Sequence, residues 1–170
     1  MKLKGFTLLE LIITTFILSI TLVIGLPNFT KLLTSAEQDK IGKELVGLFI
    51  QAKSEAVLKN QNVYVHFTNI SKAYSESKDW CVLLTTTETN TACETNNETI
   101  AMIDGDNFQR TKMKRTEEYE KLIFDPIRGH PSFKYDEEFV DVLIFYSQDK
   151  NKVTSLRSHF MGRIGLVIPK

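Results

Sequence analysis

The N-terminal region contains an apolar run that is long enough to cross a membrane. From Phe6 to Leu26 there are 21 residues, and Glu10 carries the only charge among them. As an α-helix this run would extend roughly 31 Å at about 1.5 Å per residue, close to the thickness of a bilayer's hydrocarbon core. It continues past Leu22 without the small-residue cleavage site of a secretory signal peptide. The sequence therefore predicts a retained membrane anchor.

The charges next to this run predict its orientation. Lys2 and Lys4 precede it, and basic residues beside a span tend to stay in the cytoplasm. Residues 28–170 are therefore expected on the other side of the membrane, as one domain with a single core. Without Lys2, Lys4 and Glu10, the 21 basic and 21 acidic residues become 19 and 20. The domain thus has no global attraction for nucleic acid.

Cys81 and Cys93 are the only two cysteines. An even pair closing a short loop can oxidise in an exported domain, and such a disulfide stabilises by roughly 3 kcal/mol. We therefore favour a disulfide, with two free thiols as the alternative.

The hydrophobic periodicity predicts one helix followed by strands. An apolar stripe with steps of three and four indicates a helix from about Thr34 to Leu58, with Thr34 and Ser35 before Glu37 as a plausible capping start. The stripe consists of Ile41, Leu45, Leu48, Ala52 and Ala56. Strand-like runs follow at Val63–Phe67, Trp80–Leu84, Leu122–Phe124, Val140–Tyr146 and Lys152–Leu156, with exposed loops at Thr85–Thr99 and Asp104–Glu120. The fold class is α+β.

The start of the apolar run carries a specific motif. Gly5 is followed by Phe6, Thr7, Leu8, Leu9 and Glu10 after a short basic leader. This resembles the class III signal of type IV pilins and type II secretion pseudopilins. The resemblance implies that a prepilin peptidase removes leader residues 1–5 by cutting between Gly5 and Phe6, and that Phe6 becomes N-methylated. The helix over 6–27 would then anchor the chain in the inner membrane and later enter a filament core.

Glu10 gains a role from this resemblance. Cleavage creates a cationic amine on Phe6, which Glu10 of the same or a neighbouring subunit can pair with in a low-dielectric filament core. The alternative is that Glu10 lies in the headgroup region, where a carboxylate is tolerated.

The segment Gln51–Phe67 narrows the resemblance to the FimT/GspH group of minor pilins and pseudopilins, whose pattern is A-x-SEA-x-x-x-N-x-x-V. The match is carried by Ala52, Ser54, Glu55, Ala56, Asn60 and Val63. It implies a pilin-like α+β fold, in which a long N-terminal helix continues to about residue 58 and packs on small antiparallel β-sheets.

The C-terminal region partly matches a DNA-binding motif. Some FimT-type pilins that act in DNA uptake carry G-R-x-R, and this chain has Gly162-Arg163-Ile164-Gly165. The second arginine is missing, which weakens the expected phosphate contact. Other cations could compensate, namely Arg157, Lys170 and the run Lys112, Lys114 and Arg115. The alternative is that these residues are ordinary solubilising surface charge.

No residue pattern predicts catalysis, a metal or a cofactor. His66, His130 and His159 are scattered without metal-ligand spacing. The acidic runs 117–120 and 136–138 are interpreted as solvated surface. We expect a structural protein and not an enzyme.

The function expected from the resemblance is that of a minor pilin which, with other minor pilins, primes or caps a type IV pilus. Its partners would be other minor and major pilins, the prepilin peptidase and the inner membrane, with a single span and a periplasmic C-terminal domain. One alternative is a minor pseudopilin of a type II secretion system. Another is a minor pilin that binds double-stranded DNA during natural transformation.

Overall fold

The structure is a computed structural model and describes residues 6–72, 79–89, 92–116, 120–132, 139–147, 153–159 and 161–168. Within these ranges one long helix is followed by short antiparallel strands. The elements are α1 Leu8–Lys59, β1 Val63–Thr68, β2 Cys81–Thr85, β3 Thr99–Asp104, β4 Thr111–Arg115, β5 Lys121–Phe124, β6 Pro131–Ser132, β7 Phe139–Ser147, β8 Val153–His159 and β9 Ile164–Val167. The α+β prediction is confirmed.

Helix α1 is continuous over 52 residues. It begins after Thr7, whose Oγ1 accepts a hydrogen bond from the backbone N–H of Glu10. The capping start suggested at Thr34 is wrong, because the Oγ1 of Thr34 donates to the carbonyl of Thr30 inside the helix. The helix ends where Asn60 adopts a left-handed conformation, and the backbone N–H of Asn60 bonds to the carbonyls of the preceding turn.

The predicted apolar stripe of α1 is confirmed as one wall of the core. Ile41, Leu45, Leu48, Ala52 and Ala56 are all buried, and Phe49 extends the stripe. The ring of Phe49 packs on Phe67 of β1 at 6.4 Å between centroids and meets the edge of Phe124 of β5 at 5.9 Å. These aromatic contacts fix the distal half of α1 against the first sheet.

The strands form two antiparallel sheets. The first has the order β3-β2-β1-β5-β6, and the second has the order β4-β7-β8-β9. The five predicted strand regions correspond to β1, β2, β5, β7 and β8, and their ends coincide with the observed ends or differ by up to three residues. The two sheets and α1 enclose one core, which contains side chains such as Val65, Leu122 and Leu143.

The exposed loop predicted over Asp104–Glu120 is wrong in its central part. It contains a 3-10 helix at Gly105–Asn107 and the strand β4. Strand β4 is polar apart from Met113, which is buried opposite Phe145 of β7. The strand forms because β7 supplies its backbone partners. Strands β3, β6 and β9 were not predicted either, since they are short or only half-buried.

Candidate functional site

The apolar N-terminal segment of α1 is not covered by the part of the chain that the structure describes. From Leu8 to Ile24 its large apolar side chains are 46% to 78% exposed, and residues 6–25 are all exposed. This is the one candidate membrane span among the described residues, by length and composition. A helix that is apolar on every side needs an apolar environment from outside its own chain.

The hydroxyl groups of this segment are satisfied within the helix. The side chains of Thr14 and Thr15 donate to the carbonyl of Leu11, and that of Ser19 donates to Phe16, at 2.7 to 3.0 Å. Thr21 likewise donates to the carbonyl of Leu18. Because these donors are already bonded, the helix can enter lipid, or a cluster of other helices, without exposing unpaired polar groups.

Glu10 lies in the first turn of α1 and is exposed. Within the part of the chain that the structure describes, no cation lies within salt-bridge distance of its carboxylate. Phe6, the predicted new N-terminus, is 75% exposed four residues earlier, and Gly5 lies outside the described residues. The pairing of Glu10 with the amine of Phe6 stays a prediction.

The residues that carry the FimT/GspH-like motif are structural. Ala52 and Ala56 are fully buried, Glu55 pairs with Lys59 at 3.1 Å, and Asn60 ends the helix. Val63 is then the first buried residue of β1. The motif therefore specifies how α1 ends and how the chain enters the first sheet.

The predicted disulfide is confirmed, since the sulfur atoms of Cys81 and Cys93 are bonded. It links the start of β2 to the segment between β2 and β3. The side chain of Glu88 in the same segment pairs with Lys121 of β5 at 2.7 Å. The disulfide and this ion pair both hold the segment at the first sheet.

Arg157 is engaged in an ion pair. Its guanidinium donates to both carboxylate oxygens of Asp141, at 2.8 and 3.0 Å, across the neighbouring strands β7 and β8. The hydrogen bond from Arg157 lowers the pKa of Asp141, while Asp141 raises the pKa of Arg157. A phosphate would have to compete with this carboxylate for the same donors.

Arg163 lies in the turn between β8 and β9 and is exposed. It follows Gly162, which has a φ of +75°. An ideal Cβ on Gly162 would lie 3.2 Å from the Nζ of Lys53, a residue of α1. Sequence reasoning missed Lys53, since only the folded chain brings it to this turn.

The predicted cations of β4 do not converge on Arg163. Lys112, Lys114 and Arg115 lie on β4, at the opposite edge of the second sheet from β9. Three strand spacings separate the two edges, or roughly 14 Å. Lys170 lies outside the described residues.

The histidines lie in different elements. His66 of β1 is buried, and its Nε2 lies 3.1 Å from both the Oγ1 of Thr85 and the carbonyl oxygen of Thr87. Burial lowers the pKa of His66. The Nδ1 of His159 accepts from the backbone N–H of Met161 at 3.0 Å. Among the described residues, no group of three or more His, Cys, Asp or Glu side chains is placed to hold a metal.

An open groove of about 830 Å³ lies beside the end of β1. Its lining carries charges of both signs, including Asp79, Glu88 and Glu120 as well as Arg115 and Lys121. The mixed charge gives this groove no general preference for an anionic polymer.

Comparison with known proteins identifies the family. Residues 42–153, more than half of the chain, match the family model described as type II transport protein GspH. The crystal structure of the type IV minor pilin FimU of Pseudomonas aeruginosa is similar in fold, with a TM-score of 0.51 and 18% identity. That alignment covers 78% of this chain and 97% of FimU. No curated protein sequence matches the chain. The pilin-like fold and the matched model lead to one conclusion: this chain belongs to the GspH family of pilin-like subunits.

Proposed function

We propose that this chain is a minor pilin that is anchored by the helix over residues 6–27 and assembles with other pilins to prime or cap a type IV pilus. The observation that supports this most strongly is the apolar half of α1, whose large side chains from Leu8 to Ile24 are 46% to 78% exposed. Lipid covers such a surface before assembly, and the helices of neighbouring subunits cover it afterwards.

Glu10 gives this assembly a register. In a core of packed helices, the carboxylate of Glu10 and the N-terminal amine of a processed Phe6 attract each other far more strongly than in water. A subunit that is displaced along the filament would leave both charges buried without a partner, which is strongly unfavourable. The pair therefore selects one axial position for each subunit.

Processing is tested on the full chain produced in its own cell. The mature protein is recovered from the membrane fraction, and its N-terminal peptide is analysed by mass spectrometry. The proposal predicts an N-methylated Phe6 as the first residue. A Gly5→Leu variant serves as control and should keep residues 1–5. An unmodified Met1 terminus on the wild-type chain would contradict the proposal.

The alternative assignment is a minor pseudopilin of a type II secretion system, in line with the name of the matched family model. Both assignments use the same processing and the same helix packing, so the phenotype separates them. Deleting the chain should abolish surface pili if it primes a pilus. Normal pili with a loss of extracellular secreted proteins would favour the secretion system.

Binding of double-stranded DNA is supported only by the turn that contains Arg163. This side chain is exposed, and the amine of Lys53 lies beside the preceding glycine. Against it, Arg157 is bound to Asp141, so the described cations near this turn are few: Lys53, Arg163 and, in the neighbouring β5–β6 turn, Arg128. Few phosphate contacts give weak binding with a shallow salt dependence, because the salt slope scales with the number of contacts.

A further inference from the structure

Three segments meet at the end of α1 that is remote from the membrane span. Gly129, in the turn between β5 and β6, packs so closely on the helix that a Cβ would lie 2.8 Å from the carbonyl oxygen of Lys53 and 3.2 Å from Val57. Gly162, in the β8–β9 turn, would place a Cβ 3.5 Å from the carbonyl oxygen of Gly129. The two turns therefore lie side by side on the last turns of α1.

Large apolar side chains on these segments face solvent. Ile127 is 82% exposed, Met161 is 52% exposed, and Ile50 and Val57 on the helix are 55% and 45% exposed. We call these four residues the distal patch. Single exposed apolar residues are common, but several that converge on one place mark an interaction surface.

The turn that carries Ile127 is held in a fixed conformation. The carboxylate of Asp125 accepts hydrogen bonds from the backbone N–H groups of Ile127, Arg128 and His130, at 2.7 to 2.9 Å. The backbone N–H of Gly129 donates to the carbonyl of Asp125. Ile127 is thus presented to solvent on a preorganised turn, which lowers the entropy lost on binding a partner.

The position of the distal patch decides between lipid and protein as its occupant. From Leu26 to Val57 the helix extends roughly 46 Å at about 1.5 Å per residue. The patch therefore stands well beyond the headgroups of the membrane that holds the N-terminal segment, and lipid of that membrane cannot reach it.

The distal patch lies on the same side of α1 as exposed apolar residues near the membrane end of the helix. Phe29 and Leu32 are exposed on this side, and Gly47, Ile50 and Val57 follow at helical spacing. Between Leu32 and Gly47 this side is exposed and charged, with Asp39, Lys40 and Lys43. A Cβ on Gly47 would meet nothing within 4 Å. A neighbouring chain that packs on the N-terminal half of the helix can thus continue along this side to the patch.

We propose that the distal patch is the docking surface for a neighbouring pilin-type subunit, which fills it with apolar side chains edged by carboxylates. The carboxylates are inferred from the cations around the patch, namely Lys53, Arg128 and Arg163. This inference rests on the proposed function. It adds a second contact, about 46 Å from the membrane end of the helix, which fixes the rotation of the domain about α1.

The test is site-specific photo-crosslinking of the full chain in the cell that produces it. A benzophenone amino acid replaces Ile127 in one variant, Ile168 in a second and Leu18 in a third. Ile168 is a matched control, because it is 65% exposed but lies at the other end of β9 from the patch. Leu18 reports on the assembly helix itself.

The inference predicts that positions 127 and 18 both crosslink to a chain that peptide mass spectrometry identifies as a processed pilin-type subunit, while position 168 does not. Crosslinking at 18 together with no product at 127, or with only lipid or nucleic acid there, would overturn the inference and leave the proposed function standing. No pilin-type product at 18 would overturn both.

A second readout uses substitution instead of crosslinking. Ile127→Asp should reduce the amount of the chain in sheared filaments by about tenfold or more, as expected for a central interface residue. Ile168→Asp should leave it within about twofold. Equal effects of the two substitutions would overturn the inference.

Discussion

Arg157 and Asp141 form a two-pronged ion pair between β8 and β7, with hydrogen bonds of 2.8 and 3.0 Å. The pair joins neighbouring strands of the second sheet, close to the turn that carries Arg163. Arg157 therefore stabilises the second sheet, and Arg163 is the exposed arginine of the β8–β9 hairpin.

The ion pair predicts a pH-dependent loss of stability. Asp141→Asn should lower the Tm of the detergent-solubilised chain by at most about 4 °C at neutral pH, because the pair is partly exposed. The pKa of Asp141 lies below its ordinary value of 3.8, so the stabilisation is complete above that value and is lost as the pH falls through the lower folded-state pKa. Thermal melts of wild type and variant should converge in acid. The double variant with Arg157→Gln should show no additional loss, and additive losses would contradict the pairing.

Two glycines should respond to alanine in opposite directions. Gly129 has a φ of +62°, and a Cβ there would lie 2.8 Å from a helix carbonyl, so Gly129→Ala should lower the free energy of unfolding by about 1–3 kcal/mol. Gly47 lies within α1 with open space around it, so Gly47→Ala should raise the free energy of unfolding by up to about 1 kcal/mol. Urea titration of both variants measures the difference. A stabilised Gly129→Ala variant would show that the turn does not pack on Lys53.

Removing the disulfide should destabilise the domain. The double variant Cys81→Ser, Cys93→Ser should lose about 3 kcal/mol in urea unfolding, because the unfolded chain is no longer closed into a short loop. Reductant should shift wild type to the same midpoint and leave the double variant unchanged. If reductant leaves the urea midpoint of wild type unchanged, the disulfide does not contribute to stability.

DNA binding should be weak. Arg163, Lys53 and, in the neighbouring turn, Arg128 are the described cations at this place, so the plot of log binding constant against log salt should have a slope no steeper than about −3. Arg163→Gln should reduce the slope by about 1. Fluorescence anisotropy with labelled double-stranded DNA measures both. A slope steeper than about −4, or the same slope for wild type and Arg163→Gln, would place the DNA contact elsewhere.

The parts of the fold that the sequence predicts are those with a clear period. The stripe of α1 and the alternation in β1 could be recognised because one face of each element is buried. Strand β4 could not, since Met113 is its only buried large apolar residue and pairing with β7 holds it in place. The helix start predicted at Thr34 is wrong, because the helix already extends N-terminal to this residue. The hydroxyl of Thr34 bonds to the carbonyl of Thr30 inside the helix.

The candidate site likewise contains residues that the sequence reveals and residues that only the structure reveals. The predicted cleavage motif and Glu10 are contiguous in sequence, so they can be recognised without a structure. Lys53 reaches the turn of Arg163 only through the close packing of Gly129 and Gly162, and neither contact follows from sequence spacing. The pairing of Arg157 with Asp141 depends on which residues of β7 and β8 lie opposite each other. The period of two fixes the buried face of each strand, but not this pairing.

The most direct measurement is filament incorporation of Glu10→Val. The full-length variant is produced in its own cell, and its amount in sheared filaments is compared with its amount in the membrane. Ser19→Val is the matched control, since the hydroxyl of Ser19 bonds only within its own helix. We predict that Glu10→Val is processed normally at Gly5 but is at least about tenfold depleted from filaments, because the amine of Phe6 would be buried without a partner. Wild-type incorporation of Glu10→Val would contradict the pairing on which the proposed assembly depends.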